Sequence, residues 1–412
     1  MKICILAPEF FPSWGGVGTH IFELARHLPK NMQVHIMTVF NTNLGKNPTH
    51  AYKACFSKYF GSNVHVHFLC NSSDTFFYNA HFQLACARFI PNLVKTNGIE
   101  LLISHTAHMP DLLLNLKDIG VPIITTVHTT IKSQRMGTNM SKSNLSGMET
   151  SEKATFLLYP FLRFAENVYL KNRKYLITPS LWMKKWLESN YSLNAYAKVI
   201  HNFIDLSNFE KDGYKELSGV LTEKLQGRRI ILYSGRLLAM KGVNVLLDAV
   251  PEIISKYGKG DLLFVFAGPG DRRSYVDTAK KLGIASNCLF TGSIDREKIK
   301  QLMKLSEFVV VPSFLENMPY TILESMACGT PVIASNTGGI PEMIENGSNG
   351  LLFPVGSKEK IISSSLTLLE NINIRNKMGE RAHKTVAEKF SWSAANINKY
   401  TQYYSDVINN RL

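Results

Sequence analysis

The stretch Val311-Pro-Ser-Phe-Leu-Glu316-Asn-Met-Pro-Tyr320-Thr-Ile-Leu-Glu324-Ser-Met-Ala-Cys-Gly329-Thr-Pro331-Val-Ile-Ala334 decides the fold. It opens on the end of an apolar run, residues 308–312, short enough and β-branched enough to be a buried strand. A polar loop carrying Glu316 follows. Residues 319–327 then place apolar side chains at helical spacing, with Pro319 suited to a first helical turn and Gly329 to the helix end. Residues 331–335 return to a buried apolar run. Strand, helix and strand in so short a span form the unit of a parallel sheet.

The same alternation extends in both directions. Residues 3–7, 34–39, 101–104, 123–128 and 176–179 read as strands, with a helix over 19–28 that turns Ile21, Phe22, Leu24, Ala25 and Leu28 inward. In the second half the strands are 229–234, 263–267, 289–291, 308–312 and 331–335, with a further helix over 243–256. Two such sets make an α/β protein of two doubly wound domains, in keeping with a chain too long for one core. We expect a first domain over 1–200, a second over 201–390, and a terminal helix in 391–412 that crosses back to the first. Residues 131–153 break the rhythm as a polar stretch rich in Ser, Thr, Asn, Gly and Lys, and long loops of this kind are functional or disordered.

Composition sets the class. The 412 residues are 45% apolar, as in a soluble globular protein. Six scattered cysteines without a C-x-x-C pair suit a reduced, cytoplasmic chain. The opening apolar run, interrupted at Pro8, is too short for a signal peptide, and no segment reaches the ~18 apolar residues of a membrane span. The net charge is +14, most of it in the first half, which suits nucleic acid, anionic lipid, an anionic substrate or solubility alone.

Four places could carry chemistry. Between Glu316 and Glu324 the helix start at Asn317, Met318, Pro319, Tyr320 and Thr321 offers amide N–H groups and the positive end of a dipole, which suit a phosphate. Carboxylates suit a sugar or ribose diol, because each accepts two hydroxyl hydrogen bonds. Ser234-Gly235-Arg236-Leu-Leu-Ala-Met-Lys241-Gly242 leaves a strand end with a planar cation and a compact one, a pair able to neutralise a diphosphate. Pro12-Ser-Trp-Gly15-Gly16-Val-Gly18 lets backbone approach a ligand, but position 21 is Ile and no acid closes the second strand, so a dinucleotide fingerprint is incomplete. His128 ends a strand and can donate to a hydroxyl; His20 and His105 are weaker candidates.

These elements in this order resemble the retaining glycosyltransferases of family 4, which have the GT-B fold of two Rossmann-like domains facing a central cleft. The match adds Val199-Ile-His-Asn-Phe-Ile-Asp-Leu-Ser-Asn-Phe209, Ala267-Gly-Pro-Gly270, Asn336-Thr-Gly-Gly-Ile-Pro-Glu342 and Asn346-Gly-Ser-Asn-Gly-Leu-Leu-Phe-Pro354. The resemblance implies transfer of a sugar from a nucleotide-sugar donor, UDP- or GDP-linked, to a hydroxyl acceptor in glycan, glycolipid or polysaccharide synthesis. It implies that Arg236 and Lys241 stabilise the diphosphate, Glu316 contacts the sugar and Glu324 the ribose. Gly15, Gly16 and Gly235 would bring backbone close, His128 would meet the donor sugar, and residues 317–321 would supply amides. No protein nucleophile is implied. The Asp-x-Asp metal clamp of other sugar transferases is absent, so neither a metal nor another cofactor is expected. The chain departs from the family pattern at Met318-Pro319, where Gly is frequent, and at Ser325, where Ala is; residues 131–153 have no counterpart.

The resemblance gives the basic first domain the acceptor, whether carbohydrate, lipid-linked or small molecule. In Ser180-Leu-Trp182-Met-Lys184-Lys185-Trp186-Leu the two tryptophans at helical spacing suit a core face first, or with the flanking lysines could rest on anionic lipid at the inner membrane face, and Phe10, Phe11 and Trp14 could form an acceptor platform. The competing readings are a nucleotide-sugar epimerase of the same fold, a basic nucleic-acid-binding protein and an NAD-dependent oxidoreductase. The second lacks any recognition motif, and no nucleic acid is expected as a partner.

Overall fold

A computed structural model describes residues 1–10, 15–41, 56, 59–72, 78–106, 109–116, 118–142, 148–210, 223, 225, 227–258 and 261–411. The chain divides into two compact units. The first comprises Met1–Thr130, Phe161–Phe203 and Trp392–Leu412; the second comprises Ile131–Pro160 and Ile204–Ser391. A cut at residue 200 therefore differs from the observed division at 131–160, which belongs with the second unit.

In the first unit seven strands form one parallel sheet: β1 (Lys2–Ala7), β2 (Gln33–Asn41), β3 (Val64–Ser72), β4 (Leu101–His105), β5 (Ile123–Thr126), β6 (Tyr175–Thr178) and β7 (Tyr196–Val199). Their order is β3-β2-β1-β4-β5-β6-β7. Helices cover both faces because a parallel sheet must bury both. Ile3, Ile5 and Ala7 of β1 pack with Ile21, Phe22, Leu24 and Ala25 of the helix Gly16–His27 and with Tyr400, Tyr403 and Tyr404 of the last helix, Ala394–Ile408. Cys4 and Leu6, the alternate residues, meet Phe82, Cys86 and Ile90 of the helix Tyr78–Asn97.

Six strands form the second sheet: β8 (Arg229–Ser234), β9 (Leu262–Ala267), β10 (Cys288–Gly292), β11 (Ser306–Val311), β12 (Val332–Ser335) and β13 (Leu351–Phe353), ordered β10-β9-β8-β11-β12-β13. The period of two is visible in the packing. Ile230, Leu232, Val309, Val311, Val332 and Ala334 face a layer holding Ile322, Leu323 and Met326 of the helix Tyr320–Ala327. Ile231, Tyr233, Phe308, Val310 and Ile333 face a layer holding Leu246, Leu247 and Val250 of the helix Val243–Tyr257. This is a doubly wound, Rossmann-like sheet, as is the first.

β8 and β11 pair side by side, yet the chain leaves β8 toward β9 on one side and β11 toward β12 on the other. The β8–β11 boundary is thus the switch point of the sheet, where loops diverge and leave a crevice at the carboxyl ends of the strands.

Phe308 lies at the centre of this sheet with no exposed surface. Phe308→Ala is expected to cost about 3–5 kcal/mol of stability, read as a lowered denaturant midpoint of the second unit; an unchanged midpoint would contradict this placement.

Candidate functional site

The loop after β8 and the loop after β11 leave the switch point together. The first runs from Gly235 to Gly242. Gly235 N donates to Ala267 O at 2.9 Å, and the Tyr233 hydroxyl donates to Arg236 O at 2.7 Å, so the strand end and the loop are tied beneath Arg236. A short turn, Ala239–Lys241, leads into Gly242 at φ 70°, the residue that caps the helix Val243–Tyr257. A side chain at Gly242 would place its Cβ 2.0 Å from Pro312 O. Only glycine combines that left-handed backbone with so close an approach, and the approach brings the two loops into register. Phe314 N then donates to Met240 O at 2.8 Å.

The consequence is that Lys241 and Glu316, 75 residues apart, meet: Nζ lies 2.5 Å from Oε1, with both side chains largely shielded. Ser313 Oγ donates to the same carboxylate oxygen at 3.0 Å. From behind, Gly339 N donates to Glu316 O at 3.1 Å, and Gly338 at φ 55° comes so close that a Cβ would stand 1.7 Å from that oxygen. The glycine pair of Asn336-Thr-Gly-Gly thus fixes where Glu316 leaves the loop.

The helix after this loop begins at Tyr320, with Pro319 as its N-cap rather than inside its first turn. Met318 and Tyr320 turn their side chains into the core, so only their backbone can serve a ligand. Asn317 is half-buried, and Thr321 Oγ1 donates to Ser234 O at 3.2 Å, tying the helix start to the end of β8. Glu324, one turn in, accepts from Arg296 Nη2 at 2.9 Å. Arg296 opens the helix Arg296–Leu305, and no sequence pattern singled it out.

Two further carboxylates reach the first loop from the stretch that read as a polar loop. It contains two helices, Ile131–Met140 and Thr150–Leu157. Glu149 Oε2 stands 3.5 Å from Arg236 Nη2, and Glu152 accepts from the amides of Ala239 and Met240 at 3.2 and 3.5 Å. Acids inside a mostly polar stretch gave no sequence signal for this.

The remaining candidates lie in the first unit. Gly15 is the N-cap of the helix Gly16–His27, and its amide donates to the carboxylate of Glu9, a residue the sequence reading passed over. Gly16 has open space where a Cβ would lie. His128 Nε2 is 3.1 Å from His105 Nδ1, with His20 edge-on to His128 at 4.8 Å between ring centres. Burial holds His20 neutral, its pKa lowered to about 4, although the nearby Asn202 side chain acts in the opposite sense. The histidines that looked weakest therefore surround the one singled out. Trp182 and Trp186 stack on each other, and Trp186 Nε1 donates to Thr130 Oγ1 at 3.1 Å. Both rings are partly buried and pack against the core of this unit, as the core reading of their spacing expects. Phe10 is buried in the core rather than displayed, and Phe11 and Trp14 fall outside the described residues. Among the described residues no helix is long and apolar enough to cross a membrane.

Comparison with known proteins agrees with this architecture. The family profile Glycosyltransferase Family 4 matches residues 14–208, and Glycosyl transferases group 1 matches residues 222–385. An uncharacterised glycosyltransferase of Methanocaldococcus jannaschii is 34% identical over 212 residues, 50% of this chain and 52% of that one. The N-acetyl-alpha-D-glucosaminyl L-malate synthase of Bacillus anthracis is 25% identical over 405 residues, 97% of this chain and 96% of the relative. Among solved structures, sucrose-phosphate synthase from Thermosynechococcus elongatus superposes with a TM-score of 0.74 at 18% identity, over the whole of both chains. Anabaena HepE in complex with UDP-glucose gives 0.69 at 17% identity, again over both chains entire. The chain belongs to the family 4 glycosyltransferases and has the GT-B fold.

Gly242→Ala tests the loop geometry. A left-handed backbone costs a non-glycine residue about 1–2 kcal/mol, and the contact with Pro312 O adds to it. The expected outcome is a lowered melting temperature of the second unit; a variant as stable as the parent would show that the loops do not depend on this approach.

Proposed function

We propose that this glycosyltransferase moves a sugar from a nucleotide-sugar donor, UDP- or GDP-linked, to a hydroxyl acceptor with retention of anomeric configuration and without a metal ion. The observation that carries the reading is the meeting of Lys241 and Glu316 at the switch point, with Arg236 leaving the same loop. Breaking the bond between sugar and diphosphate puts growing negative charge on the phosphate. Two cations preorganised at a strand end stabilise that charge as it develops. Glu316, held by Lys241 and Ser313, is oriented to accept from sugar hydroxyls, and Glu324, oriented by Arg296, from the ribose. The family resemblance assigns donor contacts to Gly15, Gly16 and His128 as well, and the His128 ring is set by His105. In this reading the site works by position and charge and needs no protein nucleophile. HepE, of the same fold, is a structure with UDP-glucose, which favours a nucleotide sugar as donor. The basic first half suits a phosphorylated, lipid-linked or otherwise anionic acceptor in a cytoplasmic setting, including one at a membrane face.

Arg236 is 53% exposed, so its removal should spare the fold. Arg236→Ala is expected to lower turnover by about 10²–10³ with an unchanged melting temperature, using whichever donor a thermal-shift panel of UDP-, GDP-, ADP- and dTDP-sugars selects. Turnover equal to the parent's would remove Arg236 from the mechanism. Epimer formation from donor alone would replace transfer by epimerisation.

A further inference from the structure

The helix Ile131–Met140 packs against the loop after β8, and Glu149 and Glu152 reach the same loop. Gly137 permits the approach: a Cβ there would lie 3.1 Å from Leu315 Cβ and 3.3 Å from Met240 Cε. The two carboxylates differ in setting. Glu152 is 9% exposed and is anchored three ways, accepting from the amides of Ala239, Met240 and Glu149. Glu149 is partly buried; as N-cap of the helix Thr150–Leu157 it shares a capping box with Glu152, and it also stands 3.5 Å from the half-exposed Arg236. The phenol of Tyr275 registers both acids: burial first, then Glu152 and Glu149, push its pKa up to about 12.

The buried, backbone-bound Glu152 is a fixed anchor for the helix Thr150–Leu157. A 3.5 Å ion pair whose arginine is half-exposed is weak, and a better anion can displace it. The better anion has a chemical identity if Arg236 serves a diphosphate. A diphosphate brings a higher charge and several acceptor oxygens to one guanidinium.

We propose that Glu149 is a resident anion that competes with the nucleotide's diphosphate for Arg236, so that the helix Thr150–Leu157, which Glu149 caps, sets how tightly donor and released nucleoside diphosphate are held. The proposal rests on the donor reading above. Its physical content is a tax on binding: the state with Arg236 engaged by Glu149 must be given up before the diphosphate can use that cation. The tax falls on product as well as donor. Cleavage leaves the nucleoside diphosphate with more negative charge than the sugar-linked form carried, so Arg236 and Lys241 hold the product more strongly. Return of Glu149 to Arg236 offsets that hold and favours release. Because Glu152 stays bound to the loop, Glu149 remains within reach throughout and its effective concentration is high.

The test is calorimetric titration of UDP and of GDP into the parent protein, Glu149→Gln, Arg236→Ala and the double variant. Glu149→Gln keeps the size of the side chain and removes its charge. It should bind the preferred nucleoside diphosphate about two- to fivefold more tightly, and the gain should vanish on the Arg236→Ala background. Glu149→Asp, which shortens the reach, should also gain and serves should the glutamine variant fail to fold. Equal or weaker binding by a folded Glu149→Gln overturns the proposal while leaving the donor reading intact. A gain that persists without Arg236 overturns it too, since the competition would lie elsewhere. Failure of every protein, parent included, to bind either nucleotide overturns the donor reading and this proposal with it.

Discussion

The ion pair between Lys241 and Glu316 depends on a constraint set well away from either side chain: β8 and β11 are neighbours whose connections diverge. Strand order alone would bring the two loops near each other. The Gly242 approach to Pro312 and the Phe314–Met240 hydrogen bond turn nearness into contact at 2.5 Å. Everything else in the second unit's site is arranged about that contact. Arg236 is held on one flank by the backbone tie to Tyr233, and Glu316 is backed by the Gly338–Gly339 turn.

A second regularity follows from charge. Three cations at this end of the sheet face a carboxylate: Arg236 with Glu149, Lys241 with Glu316, Arg296 with Glu324. Partly buried charges are costly unless paired, so pairing keeps the site stable when no ligand supplies the counter-charge. The pairs are not equivalent. Lys241–Glu316 and Arg296–Glu324 are short and largely shielded, whereas Arg236–Glu149 is longer and its arginine is half-exposed. In the proposed reaction the first two would persist with ligand bound and the third would exchange partners.

Much of this was legible in the sequence because it rests on local chemistry. Apolar runs with β-branched residues marked β1, β2, β8, β9, β11 and β12, and Pro319 and Gly329 bracketed the helix between Glu316 and Glu324. The strands that escaped were β3, β7 and β13. The first interleaves His65 and His67 with its apolar residues and ends in Asn71-Ser72, the second is four residues long and the third three, so none forms a long apolar run. The segment 131–157 failed for another reason. Its helices have few apolar residues of their own and gain their stability by packing on the loop after β8, a tertiary effect that local propensity does not contain. Arg296, Glu149 and Glu152 were missed with it, since an ion pair between distant elements leaves no trace in spacing. His105 was undervalued because a lone histidine carries little weight until its neighbour is known.

The central claim is that protein cations at the β8–β11 switch point, and no metal ion, hold the donor's diphosphate. It is tested most directly by titrating UDP and GDP calorimetrically into the parent protein and into Lys241→Ala, with a chelator present and then with magnesium. The account predicts saturable binding by the parent in chelator, unchanged by magnesium and lost or strongly weakened in Lys241→Ala. Binding that appears only with magnesium, or that survives the loss of Lys241 undiminished, would contradict it.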